Sequence, residues 1–314
     1  MMRAVLLLIL LLVSAPLAEV RAADSQSHTL KKSTYKAVKK ARKQIGNKNF
    51  KAAEATLNHC LEQLDKAPYD RAYVQNIYGY LHLDLQHYNA ALTAFTQAYD
   101  SHRLDAGAEQ NLLFNMAQLL AMLKRYDEAE TRMLAWMKSA DKIRSDDYML
   151  LATIQIQLHH YAAALGAVEK AIASASSPVR EQYHALYYLQ YELKRPQAAV
   201  ATLKKMIVLF PPDKDVYLQL SGLLLQGKDR AGALVVLELA YLQGMLKSNA
   251  ELLQLAQLYV YAGVPLRAGQ LLASRADAEQ RPQDANWYML EAQAWQQARE
   301  DKQALKAYAE AAAS

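Results

Sequence analysis

From residue 34 to the C-terminus, apolar positions recur at spacings of three and four, the period of a helix with one buried face. In Leu112-Leu113-Phe114-Asn115-Met116-Ala117-Gln118-Leu119-Leu120, positions 113, 116, 117 and 120 form one such stripe. No stretch alternates polar and apolar residues as a half-buried strand would. Pro68, Pro178, Pro211, Pro212 and Pro282 punctuate the pattern at long intervals, and Gly46, Gly227 and Gly263 mark turns between them. The pattern predicts an all-α chain of short antiparallel helices.

The stripes also repeat among themselves. Asn49-Phe50-Lys51-Ala52-Ala53, His87-Tyr88-Asn89-Ala90-Ala91, Arg125-Tyr126-Asp127-Glu128-Ala129 and His160-Tyr161-Ala162-Ala163-Ala164 each place an aromatic three residues before an alanine. The same alanine returns at 199, 233, 268 and 304, so the eight positions are separated by 38, 38, 35, 35, 34, 35 and 36 residues. Twelve residues before each alanine stand Ala41, Gly79, Ala117, Ala152, Tyr187, Ser221, Ala256 and Ala292, small in seven of eight cases. Two antiparallel helices that cross closely need a small side chain at the contact. Seven residues after each alanine come Cys60, Ala98, Trp136, Ala171, Met206, Ala240, Arg275 and Ala311, expected to pack one repeat on the next. A period near 34 is the length of the tetratricopeptide repeat (TPR), a helix-turn-helix unit. The expected fold is a right-handed TPR superhelical solenoid of about eight repeats, at 34–67, 72–105, 110–143, 145–178, 180–213, 214–247, 249–282 and 285–314. Connections are expected to be short, with Leu104 to Glu109 the clearest longer loop. The last repeat exposes Leu305, Tyr308, Ala309 and Ala312 to a following helix or another chain, which makes homo-association through that end an expectation.

Composition narrows the function. With 53% apolar residues in 314, the chain can bury a continuous core. Arg3 followed by the apolar run Ala4–Val13 reads as a secretory signal, with cleavage expected at Ala22/Ala23. The run is too short for a lasting helical span, and no cysteine follows it to carry a lipid. The protein is therefore expected to be exported, without a stable membrane anchor after cleavage of the signal. The lone Cys60 excludes an internal disulfide and any multi-cysteine metal site. Net charge is +5, and nine Lys or Arg fall within Lys31–Lys51, so the excess lies in an N-terminal basic segment (23–33) and first helix rather than along a nucleic-acid-binding face.

No metal-ligand spacing, phosphate-cradling glycine loop or nucleophile elbow is present, so neither catalysis nor a cofactor is expected. His159 and His160 are adjacent and point to different sides of a helix end. Binding is expected on the concave surface lined by the first helix of each repeat. Its candidate residues are Tyr73, Asn76, Tyr80 and Asp84; Asn111, Phe114, Gln118 and Met122; Met149, Thr153 and Gln157; Tyr188, Tyr191 and Glu192; and Gln257, Tyr261, Gln293 and Gln297. The set holds no Lys or Arg, which disfavours a clamp on a partner's terminal carboxylate. Tyrosine, amide and methionine side chains suit an extended peptide or a partner helix. A second candidate surface is the basic stripe Lys36, Lys39, Lys40 and Lys43, for which the plain alternative is a solvated capping helix.

Residues 70–310 resemble a family of periplasmic TPR proteins of Gram-negative bacteria assigned to the TonB transport system. The resemblance is carried by Tyr73-Val74-Gln75-Asn76-Ile77-Tyr78-Gly79-Tyr80, Val216-Tyr217-Leu218-Gln219-Leu220-Ser221-Gly222, Ala240-Tyr241-Leu242-Gln243-Gly244-Met245-Leu246, and Glu251-Leu252-Leu253-Gln254-Leu255-Ala256-Gln257-Leu258-Tyr259 with Val264-Pro265. It implies a protein-binding accessory of the TonB, ExbB and ExbD energy-transducing complex in uptake of iron chelates. The alternative binding function is an envelope-assembly factor that grips outer-membrane proteins or lipoproteins. An enzyme built on a helical superhelix, such as a lytic transglycosylase, needs a further globular domain, and the repeats occupy everything from residue 34 onward.

Overall fold

The computed structural model describes residues 29–274 and 284–314. The secretory signal and its cleavage site, Arg275 and Pro282 lie outside the described residues. Every regular element among the described residues is a helix, and the sixteen helices form eight antiparallel pairs. The first two pairs are α1 (Lys32–Gly46) with α2 (Phe50–Glu62) and α3 (Pro68–Asp84) with α4 (Tyr88–Asp100). The third and fourth are α5 (Ala106–Met122) with α6 (Tyr126–Ser139) and α7 (Ser145–Gln157) with α8 (Tyr161–Ser174). Next come α9 (Arg180–Glu192) with α10 (Pro196–Leu209) and α11 (Lys214–Gln226) with α12 (Arg230–Leu242). The last two are α13 (Asn249–Tyr261) with α14 (Pro265–Ala273) and α15 (Ala285–Gln297) with α16 (Asp301–Ala313). None of the described helices is long and apolar enough to cross a membrane.

The chain divides into two compact units, one ending at Asp105 and one spanning Ala106–Ser314. In the first, α2 packs on α1 and α3, and α3 on α4. In the second, each helix from α5 to α16 packs on the next, and α13 also meets α15. This is the neighbour-on-neighbour contact pattern of a helical repeat, in which no pair buries its faces alone.

One contact recurs in every pair. Seven of the eight repeat alanines are 0% exposed and Ala304 is 4% exposed, so no larger side chain fits there without displacing a helix. The small residues twelve positions earlier are buried opposite them, and Ser221 shows the pairing directly by donating its hydroxyl to the Ala233 carbonyl at 3.2 Å. At Gly79 even a methyl group would fall onto the Phe95 ring. Tyr187, the large exception, is buried all the same at 7%. Cys60 is buried in the first unit's core with Leu57, Leu64 and Val74, and burial pushes its thiol up, with the Asp70 carboxylate adding to the effect.

Two boundaries differ from the sequence expectation. The expected starts at 72 and 110 come four residues late, because α3 begins at Pro68 and α5 at Ala106. Of the expected loop at 104–109, only the part before Ala106 is non-helical. Proline lacks an N–H and presets a helical φ, so at a first helical position it opens a helix as readily as it ends one. The extra turn makes α3 and α5 17 residues long where later first helices have 13, and it accounts for the 38-residue spacings early in the chain.

The turns inside the pairs are also alike. Lys48, Gln86, Lys124, His159, Lys194, Lys228, Gly263 and Arg299 all take positive φ, between 56° and 76°, five residues before each repeat alanine. The residue after each donates its N–H five residues back, as Asn49 does to the Gln44 carbonyl at 2.8 Å and Arg195 to Gln190 at 2.8 Å. These are the bonds of a left-handed helix cap, which satisfies the last carbonyls of the first helix while reversing the chain.

Candidate protein-binding face

The candidate residues sit on the first helices of the pairs, and each unit presents its own set. In the first unit, Tyr73, Asn76, Tyr80 and Asp84 follow one another along α3 at spacings of three and four. Val74, Ile77 and Leu81 bury the opposite side of the helix. Tyr73 and Tyr80 are half-buried and Asp84 is exposed. The Arg42 guanidinium donates to the Tyr73 hydroxyl at 2.9 Å, and its Cζ lies 5.8 Å from the ring centroid. Tyr80 stands edge-on to Phe95 with centroids 5.1 Å apart, so its ring is positioned by the same side chain that fills the space beside Gly79. Asn76 is half-buried, and its Oδ1 meets no hydrogen-bond donor.

In the second unit, Asn111 is exposed while Phe114, Gln118 and Met122 are half-buried on α5, with Phe114 against Trp136 at 4.8 Å. Gln157 is exposed, and Thr153 is half-buried with its hydroxyl returned to the Met149 carbonyl at 2.8 Å. Met149 itself is a correction to the candidate list: it is buried at 8%, together with Leu150 and Leu151. The second turn of α7 is packed on several sides, so repeat position alone misplaces this methionine on the surface. On α9, Tyr188 and Glu192 are half-buried and Tyr191 is exposed; on α13 and α15, Gln257, Tyr261, Gln293 and Gln297 are exposed.

The structure adds side chains that the repeat register did not select. Tyr161, at the start of α8, accepts or donates a hydrogen bond with His159 Nδ1 at 2.7 Å and packs edge-on to Tyr188 at 6.1 Å. Burial, then the hydrogen bond to Tyr161 and the charge of Glu192, push the Tyr188 hydroxyl up to about 12, so it stays a neutral donor across the physiological range. His160 turns the other way, to Glu130 at 3.2 Å, as expected for adjacent residues at a helix end. Cations also reach the tyrosines from outside the candidate set. Lys194 Nζ lies 5.6 Å from the Tyr191 ring centroid and Arg230 Cζ lies 5.4 Å from that of Tyr261. These contacts were hidden in the sequence because the cations belong to turns and second helices.

Lys36, Lys39, Lys40 and Lys43 are all exposed on α1, opposite buried Val38 and Ala41. Among the described residues no three His, Cys, Asp or Glu side chains come together as metal ligands would. Exposed phenols, amides and a few cations can make hydrogen bonds, apolar contacts and ion pairs. Nothing in that set activates a nucleophile.

No protein-family model matches the chain, and no curated protein is similar to it. Among solved structures it is similar to one of Naa15/Naa10 bound to HypK-THB, at 15% identity and a TM-score of 0.56, over 84% of this chain and 39% of that one. The chain thus spans well under half of that protein, and the likeness is one of fold. It is also similar to a tetratricopeptide repeat protein from Parabacteroides merdae, at 14% identity and a TM-score of 0.48, over 84% of this chain and 99% of that one. YrrB, described as a TPR protein with an unusual peptide-binding site, matches at 14% identity and a TM-score of 0.46, over 56% of this chain and 88% of that one.

Proposed function

We propose that this protein is a non-catalytic scaffold of the periplasm that holds protein partners of a TonB-type outer-membrane transport system. The observation that carries the scaffold reading is the set of half-exposed tyrosines and amides on the first helices, with Tyr80 held against Phe95 and Tyr188 against Tyr161 of the neighbouring second helix. Helix backbones have spent their own N–H and C=O groups internally, so a partner must be gripped by such side chains. Tyrosine suits that task, because it offers apolar area and a hydrogen bond at little entropic cost. The compartment is supported by Arg3 and the apolar run Ala4–Val13, and the transport role by the resemblance of segments such as Tyr73–Tyr80 and Glu251–Tyr259 to the periplasmic family.

A photoreactive residue at Tyr80 or Tyr188, irradiated in intact cells, tests both parts. Adducts containing TonB, ExbB or ExbD are expected. Adducts with outer-membrane protein precursors or lipoproteins instead would replace the transport role by envelope assembly, and no adduct at either position would remove the tyrosine face. N-terminal sequencing of the exported protein is expected to begin at Ala23; an intact Met1 would overturn the exported compartment.

A further inference from the structure

We infer that the edge of the second unit formed by the turns and helix ends of pairs four to seven binds an extended acidic polypeptide segment. The inference rests on the scaffold reading and names the chemistry of its partner. The strip runs from Tyr161 and Tyr188 through Tyr191, Lys194 and Arg195 to Lys228, Arg230 and Tyr261. Arg230 belongs to the sixth pair and Tyr261 to the seventh, so their contact carries the strip across repeats. Tyr161 and Tyr188 bridge the fourth and fifth pairs in the same way.

Lys194, Arg195, Lys228 and Arg230 are all exposed, and none has an ion-pair partner among the described residues. Two acids stand in the same stretches of chain, Glu192 and Asp229, against the four cations. Asp229 turns its carboxylate to the Gly232 N–H at 2.8 Å, and Glu192 is half-buried. Tyr191 is 39% exposed and Tyr261 66%, so both phenols face solvent.

Helix chemistry explains only half of this charge. Lys194 and Lys228 follow the C-termini of α9 and α11, where a cation is favoured by the helix dipole. Arg195 and Arg230 occupy the N-cap of α10 and the first position of α12, where a cation is disfavoured and an oxygen-bearing side chain is the better cap. Arg195 makes no capping hydrogen bond. Four unpaired cations beside neutral phenol donors are complementary to carboxylates.

A nucleic acid strand is also anionic, but it would need aromatic faces on which to stack. Lys194 and Arg230 each take one face of Tyr191 and Tyr261, and Tyr161 and Tyr188 stand edge-on to each other, so fewer ring faces remain for stacking. An extended chain rises about 3.3 Å per residue, so side chains three residues apart are separated by about 10 Å, the distance between packed helices. The segment that fits carries Asp or Glu at that interval.

The test is fluorescence anisotropy with the whole protein and a labelled peptide of about 15 residues bearing Glu at every third position. A counterpart with Gln at those positions and an oligothymidylate of equal charge are the competitors. The quadruple variant Lys194→Gln, Arg195→Gln, Lys228→Gln, Arg230→Gln is expected to weaken binding of the Glu peptide by about tenfold or more. A matched variant at exposed Lys138, Lys142, Lys302 and Lys306 is expected to change it by less than about twofold, with circular dichroism showing both variants folded. Equal weakening by the two variants, equal binding of the Gln peptide, or tighter binding of the oligothymidylate would each overturn the inference. If the peptide fails while the Tyr188 photo-adduct with a protein persists, only the acidic chemistry falls and the scaffold stands.

Discussion

The seam where the two helices of each pair cross and the turn that joins them obey different rules. At the seam, the residue type itself repeats: a buried alanine on the second helix in all eight pairs, and a small partner on the first in all but the fifth, where Tyr187 stands. At the turn, the backbone repeats with positive φ each time, while the residue changes among Lys, Gln, His, Gly and Arg. Packing constrains side-chain volume, whereas the left-handed cap constrains only the backbone and leaves its side chain in solvent. The seam thus holds the fold, and the turn edge is free to vary in charge.

The largest expected effect breaks the seam. Ala53 and Ala55 lie two residues apart on α2, the first at 0% exposure and the second exposed. Ala53→Leu is expected to cost about 3 kcal/mol by overpacking, and Ala55→Leu to stay within about 0.5 kcal/mol of the parent. Chemical denaturation of the two variants measures the difference; equal losses would mean that the seam is no tighter than the surface.

Next in size is the start of α13, where the Ser248 hydroxyl and Glu251 carboxylate cap each other's backbone N–H groups and Lys214 Nζ lies 2.7 Å from Glu251 Oε1. Burial pushes the Glu251 carboxyl up, but the Lys214 contact and the N–H groups of Ser248 and Lys247 outweigh it and hold the value at about 2 against an ordinary 4.5. A depressed folded value stabilises above pH 4.5, and the contribution fades as pH falls from 4.5 towards 2. Glu251→Gln should cost about 1 to 2 kcal/mol at neutral pH and nearly nothing near pH 2. A loss independent of pH would assign the effect to packing.

His82 sharpens the comparison from inside the first unit. It is buried at 7%, its Nδ1 has no partner, and Tyr78 stands edge-on at 4.5 Å. Burial lowers its pKa, Glu54 opposes that shift and His87 adds to it. The unfolded chain therefore binds a proton more readily than the folded one, so stability is full above pH 6.5 and declines as pH falls below it. The protection of α3 amides against hydrogen exchange, after allowance for the slower intrinsic exchange at lower pH, is expected to fall below that pH, and His82→Phe should flatten the dependence; an unchanged pH profile in the variant would place the sensitivity elsewhere.

How far the sequence could be read follows the same division. Ala41, Ala117 and Ala256 were legible as helix contacts because a steric demand leaves a residue type behind it. The opening turn of α3 was not, since Pro68 at a first helical position looks the same as a proline that ends a helix. Met149 was misplaced because repeat position does not report how many neighbours α7 has at that turn. A bridge twelve residues long, Thr56 to Gln44 at 2.9 Å, Thr202 to Gln190 at 2.7 Å and, one position later in the repeat, Tyr308 to Gln296 at 2.7 Å, left a faint signal. The cations over Tyr191 and Tyr261 left none, because the contacts join residues of unrelated repeat position. Positive φ at Lys124 or Arg299 was hidden for a different reason: those residue types seldom adopt it.

That last point gives the smallest effect and the most direct check on the turns. Lys124 holds φ at 60° and Gly263, at the equivalent turn, holds 76°. A left-handed non-glycine residue costs about 1 to 2 kcal/mol, and the extra freedom of glycine in the unfolded chain takes back about 0.5 to 1. Lys124→Gly is therefore expected to stabilise by about 0.5 kcal/mol, and Gly263→Ala to destabilise by a similar amount. Paired denaturation curves decide the matter. If Lys124→Gly instead destabilises, the lysine's attraction to the C-terminal end of α5 exceeds the strain, and the turn side chains contribute to the fold as well as to the edge they display.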